Sequence, residues 1–303
     1  MINPIISIVL GSYNRFPFLK AAVNSIRQNG ITVPFEIIVI DGGSTDRSVA
    51  WLVKQKDIIT IVQHNHGDWR GKPVERRSWG YFMNIAFRAA HGKYILMLSD
   101  DCMLIPGAAM NGYNHFEQLI AWGEKVGALA FFWRNSPKNE KYSVMKFFGT
   151  PYVNHGLFLK TALEEVGWID DITFQFYYAD IDLCLRLKQV GFDTLECSNA
   201  FVEHYAFPEE YRKNNYKISQ TNNDHRSFMH RWGKIYNVPE EATNDELATY
   251  DYLFFNDPNQ TVRKFPIALN REVVLNQPIR EIRSVVWRII KLLLKVVTSR
   301  NHY

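Results

Sequence analysis

Residues 6–43, with the sequence ISIVLGSYNRFPFLKAAVNSIRQNGITVPFEIIVIDGG, decide the fold. The continuous apolar run from Ile5 to Leu10 is typical of a strand buried on both faces, and Glu36 to Ile40 repeats that pattern. Between them, Phe16 to Gln28 has the spacing of an amphipathic helix. Strand, helix and strand in this order predict two parallel strands joined by a crossover helix.

The same alternation continues along the chain. It predicts a helix from about Thr45, a strand at 58–62, a helix at 74–90, a strand at 94–98, a helix at 107–122 and a strand at 126–133. Residues 134–160 resemble a loop and hairpin, and 161–166 and 180–190 are predicted helices followed by strands near Thr194 and Phe201. The pattern predicts an α/β fold with a mainly parallel central sheet and helices on both faces.

Composition and charge narrow the class of protein. The chain has 303 residues, 47% of them hydrophobic, and a formal net charge of only +4, so we expect a globular protein without a nucleic-acid partner. Its three cysteines have no CxxC spacing, which argues against a disulfide framework and a structural zinc site. We find no signal peptide and no uncharged apolar stretch of membrane-spanning length, and we therefore expect a cytoplasmic protein.

Polar residues follow three predicted strands, and ligands of such sheets bind beyond the carboxyl ends of the strands. These residues are Gly11-Ser12-Tyr13-Asn14, Asp41-Gly42-Gly43 and Ser99-Asp100-Asp101. The first group lacks the glycines of a dinucleotide fingerprint, so a nicotinamide enzyme is disfavoured. Taken alone, Asp100 and Asp101 could cap a helix, bind a divalent cation or include a catalytic base.

Four blocks carry a resemblance to a known family. They are SIVLGSYNR, EIIVIDGGSTDRS, NIAFRAAHGKYILMLSDD and LEEVGWIDDITFQFYYADIDLCLRLKQVGF. In this order they resemble the inverting glycosyltransferases of family 2, over roughly residues 5–207. The resemblance implies a GT-A, Rossmann-like fold and a glycosyltransferase of the hexosyltransferase type that uses a nucleoside diphosphate sugar.

The resemblance also implies binding residues for the donor and its cation. The donor-binding residues would be Gly11, Ser12, Tyr13, Asn14, Asp41, Arg77 and Asp100. Asp101 would bind Mn²⁺ or Mg²⁺ as the last carboxylate of a D-x-D-type motif whose first aspartate is replaced by Ser99. His204 matches a histidine that reaches the metal in some relatives. Asp41 could instead only start an Asx-type turn, Arg77 could be a solvated helix residue, and His204 could simply end a strand.

Asp180 matches the family's catalytic base, which removes the proton from the acceptor hydroxyl. The glutamate that precedes this aspartate in the family is replaced by Ala179. Asp180 and Asp182 would point about 200° apart on a helix, so only one of them is expected to face the donor, and Asp182 would support the helix. His64 and His66 form an H-x-H pair, but a polar loop is favoured over zinc because no third ligand is near in sequence.

The implied reaction is an inverting, metal-dependent sugar transfer to a glycan or lipid-linked acceptor, in bacterial surface polysaccharide synthesis. A UDP-sugar is the favoured donor, with GDP- and dTDP-sugars as alternatives. Two other functions remain open: a non-catalytic nucleotide-sugar-binding or scaffold protein of the same fold, and a nucleotidyltransferase. The latter would need a glycine-rich basic loop after the first strand, where only Arg15 fits.

Beyond Phe207 the composition becomes polar and rich in Asn, Lys and Glu, which is compatible with helices. We therefore predict a catalytic domain at 1–207 and a mainly helical extension at 208–303. Within the extension, 279–298 has an apolar stripe opposite Arg and Lys residues, which suits either an anionic membrane surface or a homodimer contact. The first alternative would place the protein peripherally on the inner face of the cytoplasmic membrane.

Overall fold

The computed structural model describes residues 3–136, 139–205 and 218–255. Within these ranges no helix has the length and hydropathy needed to cross a bilayer. The predicted basic helix at 279–298 lies outside the described residues, so its role stays a prediction.

The strands and helices alternate along the first half of the chain, as the sequence predicts. The strands are β1 (Ile6–Ser12), β2 (Phe35–Asp41), β3 (Ile58–Val62), β4 (Asp68–Trp69), β5 (Lys72–Pro73), β6 (Tyr94–Ser99), β7 (Cys102–Leu104), β8 (Val126–Asn135), β9 (Tyr142–Phe147), β10 (Thr150–Pro151), β11 (Gly156–Leu159), β12 (Asp193–His204) and β13 (Ala248–Leu253). The helices are α1 (Phe16–Arg27), α2 (Ser48–Leu52), α3 (Trp79–Ala89), α4 (Ala108–Ala121), α5 (Lys160–Glu165), α6 (Ala179–Gln189), α7 (Ile218–Phe228) and α8 (Asn244–Leu247), with a π-helical turn at Met229–Gly233.

The central sheet is mixed. Its strands follow the order β3-β2-β1-β6-β11-β8-β9-β10, and the four strands from β3 to β6 in that order run parallel. β11 is antiparallel to both of its neighbours, while β12 runs parallel to β8 and antiparallel to β7. β7 begins directly after the turn at Asp100 and Asp101, which follows β6. The pairing of β12 with β7 therefore places β12 next to the end of β6.

Helices cover both faces of the sheet. On one face, Ile8, Leu10 and Leu96 are completely buried and belong to one hydrophobic cluster with residues of α1 and α4. The alternate strand residues point to the other face, where α3 packs against β1 and β2. The prediction of an α/β fold with helices on both faces is confirmed.

Some predicted boundaries were wrong for local reasons. The third helix begins at Trp79 rather than near residue 74, because Asn65 bonds the backbone of Arg77 in both directions and Ser78 caps the helix. The second helix begins at Ser48 rather than near Thr45. The two strands predicted near 194 and 201 form the single strand β12, with an irregular register between Cys197 and Phe201.

The segment beyond the predicted boundary at 207 contributes to the same sheet. β13 pairs with β9 in antiparallel register, from Ala248 opposite Phe147 to Leu253 opposite Tyr142. The described residues belong to one compact unit, Met1–Asn256. The division at 207 stays a prediction, whereas β13 shows that the chain after it also completes the sheet.

Candidate active site

A cavity of about 760 Å³ lies beyond the carboxyl ends of β1 and β6. The ladders place these ends side by side, since Gly11 of β1 is opposite Ser99 of β6 and Ser12 is opposite Asp41 of β2. Eight of the ten residues predicted for the site line this cavity: Gly11, Ser12, Tyr13, Arg77, Asp100, Asp101, Asp180 and His204. The parallel ladder brings the ends of β1 and β6 together, and His204 joins them through the antiparallel pairing of β12 with β7.

Asp41 and Asn14 do not line the cavity but build the loops behind it. Asp41 is completely buried, and its carboxylate accepts hydrogen bonds from the backbone N–H groups of Gly43 and Ser44 and from the Ser44 hydroxyl. Asn14 Oδ1 accepts a 2.7 Å bond from the backbone N–H of Thr45. For Asp41 this geometry is the Asx-type turn, the alternative to a contact with a nucleotide base.

Tyr13 forms an aromatic wall of the cavity together with His66. Their rings are stacked, with centroids 4.0 Å apart and an interplanar angle of 7°. Burial lowers the pKa of His66, and the nearby charge of Arg76 acts in the same direction.

The turn after β2 requires glycine at position 43. Gly43 has a φ of +83°, and a Cβ there would lie 2.3 Å from Nδ1 of His64, so only glycine fits this turn.

Arg77 lies at the rim of the cavity in the loop before α3. Its guanidinium pairs with Glu75 at 2.6 Å and lies over the ring of Tyr81 at 5.4 Å. The side chain is almost half exposed, as expected of a cation that could reach a soluble anion. The structure thus places Arg77 before the helix and not within it.

Asp100 and Asp101 are both buried at the turn after β6. One guanidinium nitrogen of Arg15 bonds both carboxylates, Asp100 Oδ1 at 2.9 Å and Asp101 Oδ2 at 3.0 Å. Burial raises the pKa of Asp100 to about 6, and the neighbouring Asp101 charge acts in the same direction. Burial also acts to raise the pKa of Asp101, but His204 and Arg15 outweigh it and hold this pKa far below its usual range.

His204 reaches Asp101 because β12 pairs with β7. Cys102 is opposite His204 in this ladder, and the backbone N–H of Tyr205 donates to the carbonyl of Asp101 at 2.8 Å. His204 Nδ1 lies 2.8 Å from Asn135 Oδ1, which leaves Nε2 directed at Asp101 Oδ1 at 3.6 Å. Sequence reasoning missed Asn135, which gave no local signal of this contact.

A divalent cation fits this arrangement. Because Asn135 Oδ1 bonds Nδ1 of His204, Nε2 and the Asp101 carboxylate face each other, and a cation placed between them would be bound by both. Within the described ranges, Asp101, Cys102 and His204 form a group whose potential ligand atoms lie within 4.8 Å of one another. Burial raises the pKa of Cys102 well above its usual value, so the thiol is a poor ligand beside the carboxylate and the imidazole.

His155 is a further buried residue next to this group that sequence reasoning missed. Its Nε2 lies 3.4 Å from Cys102 Sγ. Burial, together with the nearby His204, lowers the pKa of His155 to about 3, so this imidazole is neutral. Trp133 packs edge-on against both histidine rings.

Asp180 projects into the cavity from the first turn of α6. Tyr178, directly before the helix, has a φ of +66°, which turns the chain so that α6 starts at the cavity wall. Burial raises the pKa of Asp180 to about 6, and in the described part of the chain its carboxylate has no ion pair. A carboxylate in this state is suited to accept a proton near neutral pH.

Asp182 has the opposite environment, although it is only two residues away. It is completely buried and accepts hydrogen bonds from Arg186 at 2.7 Å, Arg231 at 2.7 Å and Trp232 at 3.0 Å. The bonds from Arg231 and Trp232 hold α6 to the π-helical turn, whereas Arg186 lies one turn further along α6 itself. Of the two aspartates only Asp180 lines the cavity, and that it faces a donor stays a prediction.

Asp224 of α7 also positions the site, and sequence reasoning missed it. The residue is buried, and its carboxylate accepts bonds of 2.9–3.0 Å from the backbone N–H groups of Gln175, Phe176 and Tyr177. These residues lead into α6, and Phe176 and Tyr177 line the cavity. The segment beyond 207 therefore fixes the loop that precedes Asp180.

Comparison with known proteins agrees with this geometry. The family model described as "Glycosyl transferase family 2" matches residues 7–164, more than half of the chain. An uncharacterized glycosyltransferase of Nostoc sp. (strain PCC 7120), alr2836, is 32% identical over 98 residues, which cover 32% of this chain and 28% of that relative.

The fold is similar to those of solved structures at low sequence identity. A mannosyltransferase of Pyrobaculum calidifontis, PcManGT, solved with GDP-Man and Mn²⁺, has a TM-score of 0.55 and 15% identity over 78% of this chain and 66% of its own. S. aureus TarS has a TM-score of 0.50 and 14% identity over 75% of this chain and 43% of its own. The predicted GT-A fold is confirmed, and the chain belongs to glycosyl transferase family 2.

Proposed function

We propose that the protein transfers a sugar from a nucleoside diphosphate sugar to an acceptor hydroxyl, with inversion at the anomeric carbon. The observation that carries the proposal is the shared cavity, which Asp180 lines together with Asp101 and His204. A proton acceptor and a cation-binding pair thus face the same space. A direct displacement needs both of them: one to activate the acceptor and one to stabilise the leaving group.

Each residue has a defined part in this reaction. Asp180 takes the proton of the acceptor hydroxyl as its oxygen attacks the anomeric carbon from the side opposite the diphosphate. Asp101 and His204 would hold Mn²⁺ or Mg²⁺, which when bound would supply positive charge that stabilises the leaving diphosphate. Imidazole ligation favours Mn²⁺ of the two. Asp100 would lie beside the site and bond the ribose or a water molecule of the cation.

The donor nucleotide lies along the wall formed by Tyr13 and His66. The small residues Gly11 and Ser12 let the nucleotide approach the protein backbone closely at the end of β1. Arg77 approaches the diphosphate from the rim. We favour a UDP-sugar, and the mannosyltransferase solved with GDP-Man and Mn²⁺ keeps GDP-sugars as an alternative. dTDP-sugars complete the set to be tested.

A thermal-shift panel tests this function. UDP, GDP, dTDP and the common nucleoside diphosphate sugars of each are added to the full chain, once with Mn²⁺ and once with a chelator. We expect at least one donor to raise Tm only when the metal is present. Absence of a metal-dependent shift with every donor would refute the proposal.

The variant Asp180→Asn separates an enzyme from a non-catalytic binding protein of the same fold. As an enzyme, the protein should lose transfer and donor hydrolysis on this change and keep its affinity for the donor, because the amide cannot accept the proton. A wild-type protein that binds donors but neither transfers nor hydrolyses them would favour the scaffold alternative. Retention of most of the rate by the variant would remove Asp180 from its role.

The acceptor and the location belong to the same proposal. We propose a glycan or lipid-linked acceptor in bacterial surface polysaccharide synthesis, and a peripheral position on the inner face of the cytoplasmic membrane. Flotation with anionic liposomes, carried out on the full chain and on a chain without residues 279–303, tests the membrane contact. If both proteins fail to float while a cross-linked dimer depends on this segment, the homodimer alternative is supported instead.

A further inference from the structure

β13 carries a row of aromatic side chains on its outer face. Tyr250 and Tyr252 alternate along the strand and Phe254 follows its last residue, Leu253; the three residues are 40%, 59% and 62% exposed, respectively. The rings of Tyr250 and Tyr252 are nearly parallel, with centroids 5.9 Å apart and an interplanar angle of 21°. The intervening Asp251 is used differently, since it pairs with Lys146 at 2.5 Å.

The row is continuous with the cavity of the proposed active site. Tyr250 lines this cavity together with Asp180, and so does Met145, which is opposite Tyr250 in the β9–β13 ladder. From Tyr250 the row leads away from the cavity toward Phe254. At the rise of a β-strand its length is roughly 13 Å, which exceeds one sugar ring.

The chemistry of the row fits a saccharide. The C–H face of a pyranose ring is apolar and stacks on aromatic rings, while its edge carries hydroxyl groups that bond polar neighbours. Tyrosine offers a flat ring and a phenol together, and Asn244 and Asp245 supply polar groups where the row meets the cavity. A lipid chain would instead be matched by aliphatic side chains, and the alternating residues Tyr250, Tyr252 and Phe254 include none.

We propose that Tyr250, Tyr252 and Phe254 form a binding platform for the glycan chain of the acceptor, several sugar units long, whose end enters the cavity at Asp180. This inference rests on the proposed function, because it assigns the acceptor side of that site. It predicts that affinity depends on chain length, since a single sugar can contact only one part of the row.

Titration calorimetry on the full chain tests the platform with cellohexaose, chitohexaose and α-1,6-mannohexaose, each compared with its monosaccharide. We expect at least one hexasaccharide to bind at least tenfold more tightly than its monosaccharide. Tyr252→Ala should weaken that binding about tenfold, and Tyr252→Phe, which keeps the ring, should retain most of it. Trp122→Ala is the matched control, because Trp122 is 67% exposed at the end of α4 and should not affect binding.

The same proteins are titrated with UDP, GDP and dTDP in the presence of Mn²⁺, which tests the proposed function separately. Nucleotide binding without any hexasaccharide binding overturns the platform alone. Hexasaccharide binding that Tyr252→Ala leaves intact, or that Trp122→Ala weakens equally, also overturns it. Flotation with phosphatidylglycerol vesicles that depends on Tyr252 would replace the glycan by a membrane surface and refute the inference.

Discussion

Asp180→Asn should make the protein more stable above pH 6, although it removes the proposed catalytic base. Burial raises the pKa of Asp180 from 3.8 to about 6, so the folded protein disfavours the charged form. A difference of about 2 pKa units corresponds to ~3 kcal/mol. Because the side chain lines a cavity that water can enter, we expect ~1–2 kcal/mol of added stability from the neutral amide.

The sign of the pH dependence follows from the raised pKa. The pKa of Asp180 is higher in the folded than in the unfolded state. Its contribution to the free energy of unfolding of the wild type is therefore fully present below about pH 4 and is lost as the pH rises through about 6. Urea denaturation should therefore show a large gap between Asp180→Asn and wild type at pH 8 and a much smaller gap near pH 4.5.

Asp182→Asn is the matched control, with the same chemical change two residues away. It removes the buried negative charge that pairs with Arg186 and Arg231 and should destabilise the protein by ~3 kcal/mol at pH 8. The two variants are thus expected to shift the urea midpoint in opposite directions. If Asp180→Asn is less stable than wild type at pH 8, or if its gap is independent of pH, the described environment of Asp180 is wrong.

Four further outcomes are expected. The transfer rate should fall about tenfold per pH unit below about pH 6, because only deprotonated Asp180 accepts a proton, and a flat profile of initial rates would contradict this. Asp101→Ala should abolish Mn²⁺-dependent donor binding in calorimetry, whereas unchanged affinity would remove Asp101 from the metal site. Asp224→Ala frees three backbone N–H groups and should lower kcat while donor affinity stays unchanged; an equal loss of both would indicate general damage. Gly43→Ala should lower Tm more than Gly30→Ala does, because both have positive φ but only Gly43 has a side chain within 4 Å, and equal effects would contradict the close contact.

The parts of the fold that follow from local patterns could be predicted from the sequence. The helix expected at 16–28 is observed at Phe16–Arg27, and the strand expected at 58–62 is observed at Ile58–Val62. Apolar periodicity is a property of neighbouring residues, so it survives without knowledge of the tertiary structure. The start of α3 could not be predicted, because Asn65, twelve residues earlier, holds Arg77 out of the helix.

The candidate site could be predicted only where motifs mark it. The resemblance indicated Asp101, Asp180 and His204, and the structure places all three at one cavity, while their roles stay predictions. Asn135 and Asp224 carried no signal, since their contacts depend on partners 69 and 47–49 residues away. Such contacts are set by how strands pair and how α7 docks, and neither follows from one sequence read alone.

The pairing of β13 with β9 also bears on how the chain could be shortened. Apart from β13, β9 pairs only with the two-residue strand β10 and with one residue of β8 among the described strands. A chain ending at residue 207 would leave most of the backbone N–H and C=O groups of β9 open to another molecule. Such a shortened protein should self-associate edge to edge, so expression of this sheet as a soluble monomer requires the chain at least through Leu253.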